Sequence, residues 1–132
     1  MAEVEHILVV EANRGVRDTL ELTLQHGGYQ VTIVDGGASM RAFLDANKSV
    51  DLVVLDGSLP GDEGLSIAQY LKDLRMPLVM ISGSPSVIKF AEENALQLLQ
   101  KPFKIGELLA AVAVAFDSGE FGQRHGRSVD HH

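Results

Sequence analysis

The stretch Asp51-Leu-Val-Val-Leu-Asp56-Gly57-Ser-Leu-Pro-Gly61 decides how the rest of the chain is read. Its apolar run is continuous rather than alternating, which suits a strand covered on both faces, as in a parallel sheet. The run closes on a carboxylate, Asp56, and passes at once into a turn with flexible backbone. A carboxylate at the end of a buried strand is placed to react or to bind a cation. The commoner fate of such a residue is to hydrogen-bond its own turn. What the fold brings beside Asp56 separates the two.

Working outward, four more short apolar runs appear: Ile7 to Val10, Val31 to Val34, Leu78 to Ile81 and Ala95 to Leu99, with the central one taken as Val50 to Leu55. Helical patterns lie between them. Val16, Leu20 and Leu24 share one face, with Asn13 as the N-cap and Gly27-Gly28 as the stop. Met40, Phe43 and Leu44 mark a second helix, and Ile67, Leu71 and Leu74 a third that ends before Met76-Pro77. A short fourth helix starts at Ser84-Pro85, N-cap and first-position proline, and carries Val87, Ile88 and Ala91 inward. The fifth, Ile105 to about Asp117, is apolar nearly all round, more than one buried face requires. Five βα units with right-handed crossovers give an α/β fold, a flavodoxin-like, doubly wound, five-stranded parallel sheet in the order 2-1-3-4-5 with five helices.

The chain has 132 residues, 45% of them hydrophobic, which is enough for one domain core and leaves no room for a second. The folded part is expected over residues 1–117. Residues 118–132 are expected to form a flexible tail, because they lack a period and are rich in Gly and polar groups; the end, Val129-Asp-His-His132, resembles the start of a purification tag. A net charge of -7 with no Lys/Arg cluster argues against nucleic acid as a partner. Zero cysteines exclude disulfides and thiol catalysis and fit a cytoplasmic setting. The N-terminus has neither a basic segment nor a long apolar one, so neither a signal peptide nor a membrane span is expected.

Open parallel sheets bind at the carboxyl ends of their strands. Glu11 and Ala12 follow the first run, Asp56 ends the third, Ser82 and Gly83 follow the fourth, and Lys101-Pro102 follow the fifth. In the order 2-1-3-4-5 these strands are neighbours, so two carboxylates, a hydroxyl and an ammonium converge on one rim.

The blocks Ile7-Leu-Val-Val-Glu-Ala12, Leu52-Val-Val-Leu-Asp-Gly-Ser-Leu-Pro-Gly61 with Gly64, Val79-Met-Ile-Ser-Gly83 and Leu99-Gln-Lys-Pro-Phe103 resemble the receiver domain of bacterial two-component response regulators. The resemblance spans residues 5 to 116. It implies that Asp56 is phosphorylated by a histidine kinase or histidine phosphotransfer protein, and that the chain assists its own phosphorylation and dephosphorylation without being an enzyme in the ordinary sense. It implies Mg²⁺ held by Glu11, Asp56 and the Ser58 backbone carbonyl. Lys101 would pair with the phosphoryl oxygens as a point charge. Ser82 would donate its hydroxyl to another of them, Gly83 would leave room for that approach, and Ser58 and Ser84 stand where the family modulates acyl-phosphate lifetime. Only about 5% of X-Pro bonds are cis, yet the resemblance implies that Lys101-Pro102 is one. The structural alternatives are plain: Glu11, Asp62 and Glu63 as helix-entry acids, Ser82 as a polar strand end, Lys101 as a solvated turn lysine. The functional reading requires the Lys101 amine to face the pocket and Asp56 to be open to solvent.

The chain departs from the family in three places. Receivers carry two adjacent acids after the first strand, and the second, normally the principal metal ligand, is Ala12 here. Mg²⁺ binding should be weakened, with the longer Glu11 reaching inward to compensate. An aromatic residue on strand five usually couples to the strand-four hydroxyl; Leu98 stands in its place and cannot donate a hydrogen bond. The stretch from Ser82 to Lys101 is shorter than expected by about one helical turn, roughly 3.6 residues.

The leading expectation is a stand-alone phosphoacceptor receiver with a downstream protein target, dimerising through the apolar fifth helix. The competing expectation is a degenerate receiver that binds proteins or dimerises without phosphorylation, favoured by Ala12. Leu55-Asp-Gly-Ser-Leu59 also suggests a haloacid-dehalogenase-type phosphatase, but the nucleophile position of that family is Val54 here. A flavin site is open on fold alone, though the turn after the first strand lacks a phosphate-cradling glycine loop.

Overall fold

The computed structural model describes residues 4–46, 49–59 and 63–117. Ten elements alternate strictly: β1 (His6–Val10), α1 (Arg14–His26), β2 (Gln30–Val34), α2 (Gly37–Ala46), β3 (Leu52–Asp56), α3 (Glu63–Asp73), β4 (Leu78–Ser82), α4 (Pro85–Glu93), β5 (Gln97–Gln100) and α5 (Ile105–Asp117). All strand pairs are parallel, in the order β2-β1-β3-β4-β5. The expected fold is the observed one. The expected tail, residues 118–132, lies outside the described residues, as does Asp62.

The unbroken apolar runs are explained by two cores, one on each face of the sheet. Side chains alternate across a strand, so Ile7, Val9, Leu52, Val54, Val79 and Ile81 pack with α1 and α5. Leu8, Val10, Val53, Leu55, Leu78 and Met80 pack with α2, α3 and α4. Every residue of β1, β3 and β4 is buried.

Local chemistry moves some boundaries from where hydrophobicity put them. β3 begins at Leu52, not Val50, because the Asp51 carboxylate accepts the His6 backbone N–H at 2.8 Å and ends the pairing there. β5 is Gln97–Gln100, not Ala95 to Leu99, because Ala95 takes the left-handed conformation (φ 54°) that closes α4. Leu74 lies beyond the last residue of α3 and is 53% exposed, so it is not part of the inward face; Arg75, at φ 60°, turns the chain. The Asn13 cap is present, its Oδ1 accepting Val16 N–H at 3.0 Å. Ser84 occupies the N-cap of α4 ahead of Pro85, but its hydroxyl caps nothing and meets Ser86 Oγ at 3.1 Å instead. On α4, Val87 and Ala91 are buried, whereas Ile88 is half-buried. α5 buries Leu108, Ala111, Val112, Ala115 and Phe116 and leaves Ile105 and Val114 exposed.

Candidate phosphoryl-transfer site

The carboxyl ends of β1, β3, β4 and β5 do converge. Parallel register sets Asp56 beside Ile81 and Ser82 beside Gln100. Gly57 N–H then bonds Ile81 O at 2.8 Å, and Lys101 N–H bonds Ser82 O at 3.0 Å. Each functional residue is therefore the last residue of a strand or the first beyond it, fixed by a main-chain bond to its neighbour.

The Lys101 ammonium faces the pocket, 3.2 Å from Asp56 Oδ2 and 3.4 Å from Oδ1. The Lys101-Pro102 bond is cis. Ser58 N–H donates to Asp56 Oδ1 at 2.9 Å. Asp56 does close its own turn, as the structural alternative holds, and it faces the ammonium as well. The expectation that Asp56 stands open to solvent is corrected: it is only 5% exposed, because Lys101 lies across it. The lysine side chain is itself 35% exposed, so access to the carboxylate passes through displacement of a flexible ammonium.

Glu11 is 2% exposed. Its Oε2 accepts Asn13 N–H at 3.1 Å, and its Oε1 is buried without a hydrogen-bond partner. Burial first, and then the neighbouring Asp56 carboxylate, push the Glu11 carboxyl up to about 7; the Asn13 N–H and the Lys101 charge oppose the rise. For Asp56, burial pushes upward, but the neighbouring Glu11, the Ser58 N–H and the Lys101 ammonium together outweigh it and hold the carboxyl below its ordinary range. Below about pH 7 Glu11 keeps its proton while Asp56 is ionised, the pattern that separates roles between neighbouring carboxyls.

Ser82 is fully buried, and its Oγ accepts Ser84 N–H at 2.9 Å. That bond uses a lone pair and leaves the hydroxyl proton free to donate elsewhere. Gly83 is not required for steric room: a Cβ there would meet Lys101 Cβ at 3.7 Å, an ordinary contact. The tight approaches lie at two other glycines. A Cβ on Gly64 would stand 2.5 Å from Gly57 O, and one on Gly57 would stand 2.7 Å from Val87 Cγ1. Glu63, read from sequence as a helix-entry acid, also reaches across to accept Gly37 N–H at 3.0 Å and caps α2. The signal for these positions in the sequence is faint: two glycines on either side of the Leu59-Pro60 turn.

A family model for the response regulator receiver domain matches residues 7–113. The chain belongs to this family. The receiver is 31% identical over 130 residues to the transcriptional regulatory protein GltR of Pseudomonas aeruginosa, an alignment covering 93% of the chain and 53% of that protein. It is 30% identical over 122 residues to the transcriptional regulatory protein FixJ of Bradyrhizobium diazoefficiens, covering 87% and 58%. The receiver thus spans about half the length of the curated relatives it matches. Its fold is that of the CheY-like receiver domain protein from Methanospirillum hungatei, with a TM-score of 0.79, 24% identity and coverage of 92% and 99% of the two chains.

Among the described residues no three His, Cys, Asp or Glu gather to hold a metal. The acids at this rim are Asp56 and Glu11, and Glu11 has one buried oxygen without a hydrogen-bond partner. Mg²⁺ uses one or two protein carboxylates and completes its shell with water and phosphate oxygens, so the pair fits with a smaller donor set than a receiver with a second acid at position 12. No helix among the described residues is long and apolar enough to cross a membrane.

Proposed function

We propose that this receiver accepts a phosphoryl group on Asp56 from a histidine kinase or histidine phosphotransfer protein in a cytoplasmic phosphorelay and signals to a downstream protein. The supporting observation is the convergence on one rim of an ionised Asp56, the Lys101 ammonium 3.2 Å away and the buried Ser82 hydroxyl with its proton free. An Asp56 oxygen attacks phosphorus as the P–N bond to the donor imidazole breaks. The electron pair of that bond leaves on the imidazole nitrogen, which takes a proton, and an acyl phosphate remains. Lys101 shifts from the carboxylate to the phosphoryl oxygens, and Ser82 donates to another of them. Glu11 and Asp56, with the Ser58 carbonyl, would hold Mg²⁺, which screens the charge of the approaching anionic oxygens.

Docking of the donor is supported by an open apolar groove of about 740 Å³ beside Lys101, lined by Val16, Leu20, Pro102, Phe103 and Ile105 with Asn13 at its mouth. A protein presenting a phosphohistidine to Asp56 must bind next to it, and this groove offers the apolar area.

Intact mass after incubation with acetyl phosphate tests the reading. The native chain should gain the mass of one phosphoryl group and Asp56→Asn should gain none. Half-maximal incorporation is expected at millimolar Mg²⁺, because position 12 supplies no carboxylate. Saturation at micromolar Mg²⁺ would refute the weakened site. No incorporation at any Mg²⁺ concentration favours the second reading, a phosphorylation-independent binding module, for which Ala12 is the specific support.

We further propose a homodimer through α5. Ile105 is 59% and Val114 49% exposed on a helix whose outer face also carries Ala110 and Ala113. Light scattering during size exclusion should give a dimer at micromolar concentration and a monomer for Val114→Glu. A monomeric native chain counts against it.

A further inference from the structure

The turn that follows Asp56 is held from three sides by backbone or side chain in close contact. Gly57 is buried; its N–H bonds Ile81 O on β4 at 2.8 Å. On one side Gly64, in the first turn of α3, sits so near that a Cβ on it would stand 2.5 Å from Gly57 O and 2.8 Å from Gly57 Cα. On the other side Val87 of α4 fills the space a side chain at position 57 would need, its two methyls 2.7 and 3.2 Å from where that Cβ would lie. Real carbon contacts are not that short, so the valine occupies the side-chain volume that glycine leaves vacant.

α4 is also tethered at its start. Ser82 Oγ, the hydroxyl placed to meet a phosphoryl oxygen, accepts the backbone N–H of Ser84, the residue before the helix. The helix has nine residues; Val87 and Ala91 are its buried side chains, and Phe90 packs half-buried against the same core. The edge strand offers no comparable link: Leu98 on β5 is half-buried and has no polar side-chain atom.

We infer that Val87 is a positioning residue that locks α4 to the phosphoacceptor turn by filling the vacant volume at Gly57, so that α4 carries the phosphorylation-dependent change. The part concerning phosphorylation rests on the phosphoacceptor reading of Asp56; the lock itself does not. When charge and bulk are added at Asp56, the turn cannot shift toward α3 without striking Gly64. It can shift only with Val87, and Ser82 moving to the phosphoryl group draws the start of the same helix.

Backbone amide exchange followed by NMR tests this on ¹⁵N-labelled full chain, with and without acetyl phosphate and Mg²⁺. Without phosphodonor, Val87→Ala should speed exchange of the Gly57 and Ser58 amides at least about fivefold by local opening, while amides of β1 and β2 stay as they are. Unchanged Gly57 and Ser58 amides would overturn the lock whatever Asp56 does. Gly57→Ala should be destabilised in urea, and Gly57→Ala with Val87→Ala should be more stable than Gly57→Ala alone, because the deleted methyls make room for the added one. A double variant less stable than Gly57→Ala overturns it too. With phosphodonor, amides 88–93 should change exchange in the native chain, and Val87→Ala, phosphorylated to the same extent by mass, should lose that response. An equal response in Val87→Ala refutes the transmission role. A native chain that takes up no phosphoryl group refutes the phosphoacceptor reading, and with it transmission, and leaves the lock to be decided by the first two comparisons.

Discussion

A Lys101→Met chain is expected to take up phosphoryl groups from acetyl phosphate about 10²- to 10³-fold more slowly than the native chain, the scale of removing one preorganised donor from a charge-building transition state. Two effects of the substitution oppose each other. Lys101 covers Asp56, which is 5% exposed, so methionine removes an ion pair that the donor must otherwise displace. The Lys101 side chain is 35% exposed and flexible, so moving it aside for the donor costs little. The transition-state loss corresponds to about 3–4 kcal/mol and prevails. Because Asp56 is 5% exposed, Lys101→Met leaves a buried carboxylate without its ion pair, and the urea midpoint should fall. Lys101→Arg should recover only part of the rate, because a planar fork does not follow a moving phosphoryl group as a rotatable ammonium does. Initial rates by intact mass, paired with urea curves, check this; a native rate for Lys101→Met removes the lysine from the chemistry.

The doubly covered parallel sheet was legible because continuous runs such as Leu52 to Leu55 demand cover on both faces, and the split of alternate strand residues into two cores is the physical form of that demand. Boundaries were less legible, for reasons that hydrophobicity does not carry. Asp51 sets the start of β3 with an amide-to-carboxylate bond, and Ala95 and Arg75 take left-handed conformations after α4 and α3. Leu74 shows the limit of reading a face from spacing: its i+3 position after Leu71 is correct for a helix that has already stopped.

At the site, Asp56, Ser82, Lys101 and Glu11 follow from the strand-end rule together with strand order, since each ends a strand or follows it directly. Burial does not follow from that rule. The sequence places Asp56 at the rim but cannot tell that Lys101 folds over it. The packing glycines are likewise opaque: nothing in the string Asp56-Gly57 says that a valine 30 positions later fills the gap, because that contact depends on how α4 packs against β4 and β5. Gly83 shows the reverse error, a glycine beside the chemistry whose missing side chain leaves only an ordinary contact.

The second large expected effect is a loss of stability as pH rises through neutrality. Burial raises the Glu11 carboxyl from 4.5 to about 7 in the folded chain. Below the unfolded value both states hold the proton and the contribution is fully present. Between 4.5 and about 7 the unfolded chain releases its proton while the folded chain keeps it, so stability falls with pH and the contribution is gone above the folded value. The rise corresponds to on the order of 3 kcal/mol at about 1.4 kcal/mol per tenfold change. Asp56 acts at the other end: its depressed carboxyl stabilises the fold above its unfolded value of 3.8, and this is lost as pH falls through the folded one. Urea unfolding of the native chain without divalent cations should therefore be most stable near pH 4 to 5 and weaken toward pH 8. Glu11→Gln stays neutral and retains an acceptor for Asn13 N–H, so its profile should be flat over the same interval. Mg²⁺ binds the ionised form, and added metal should restore native stability at pH 8 while leaving Glu11→Gln nearly unmoved. If the two chains weaken in parallel toward pH 8, the buried proton lies on a group other than Glu11, and the division of charge between Glu11 and Asp56 has to be abandoned.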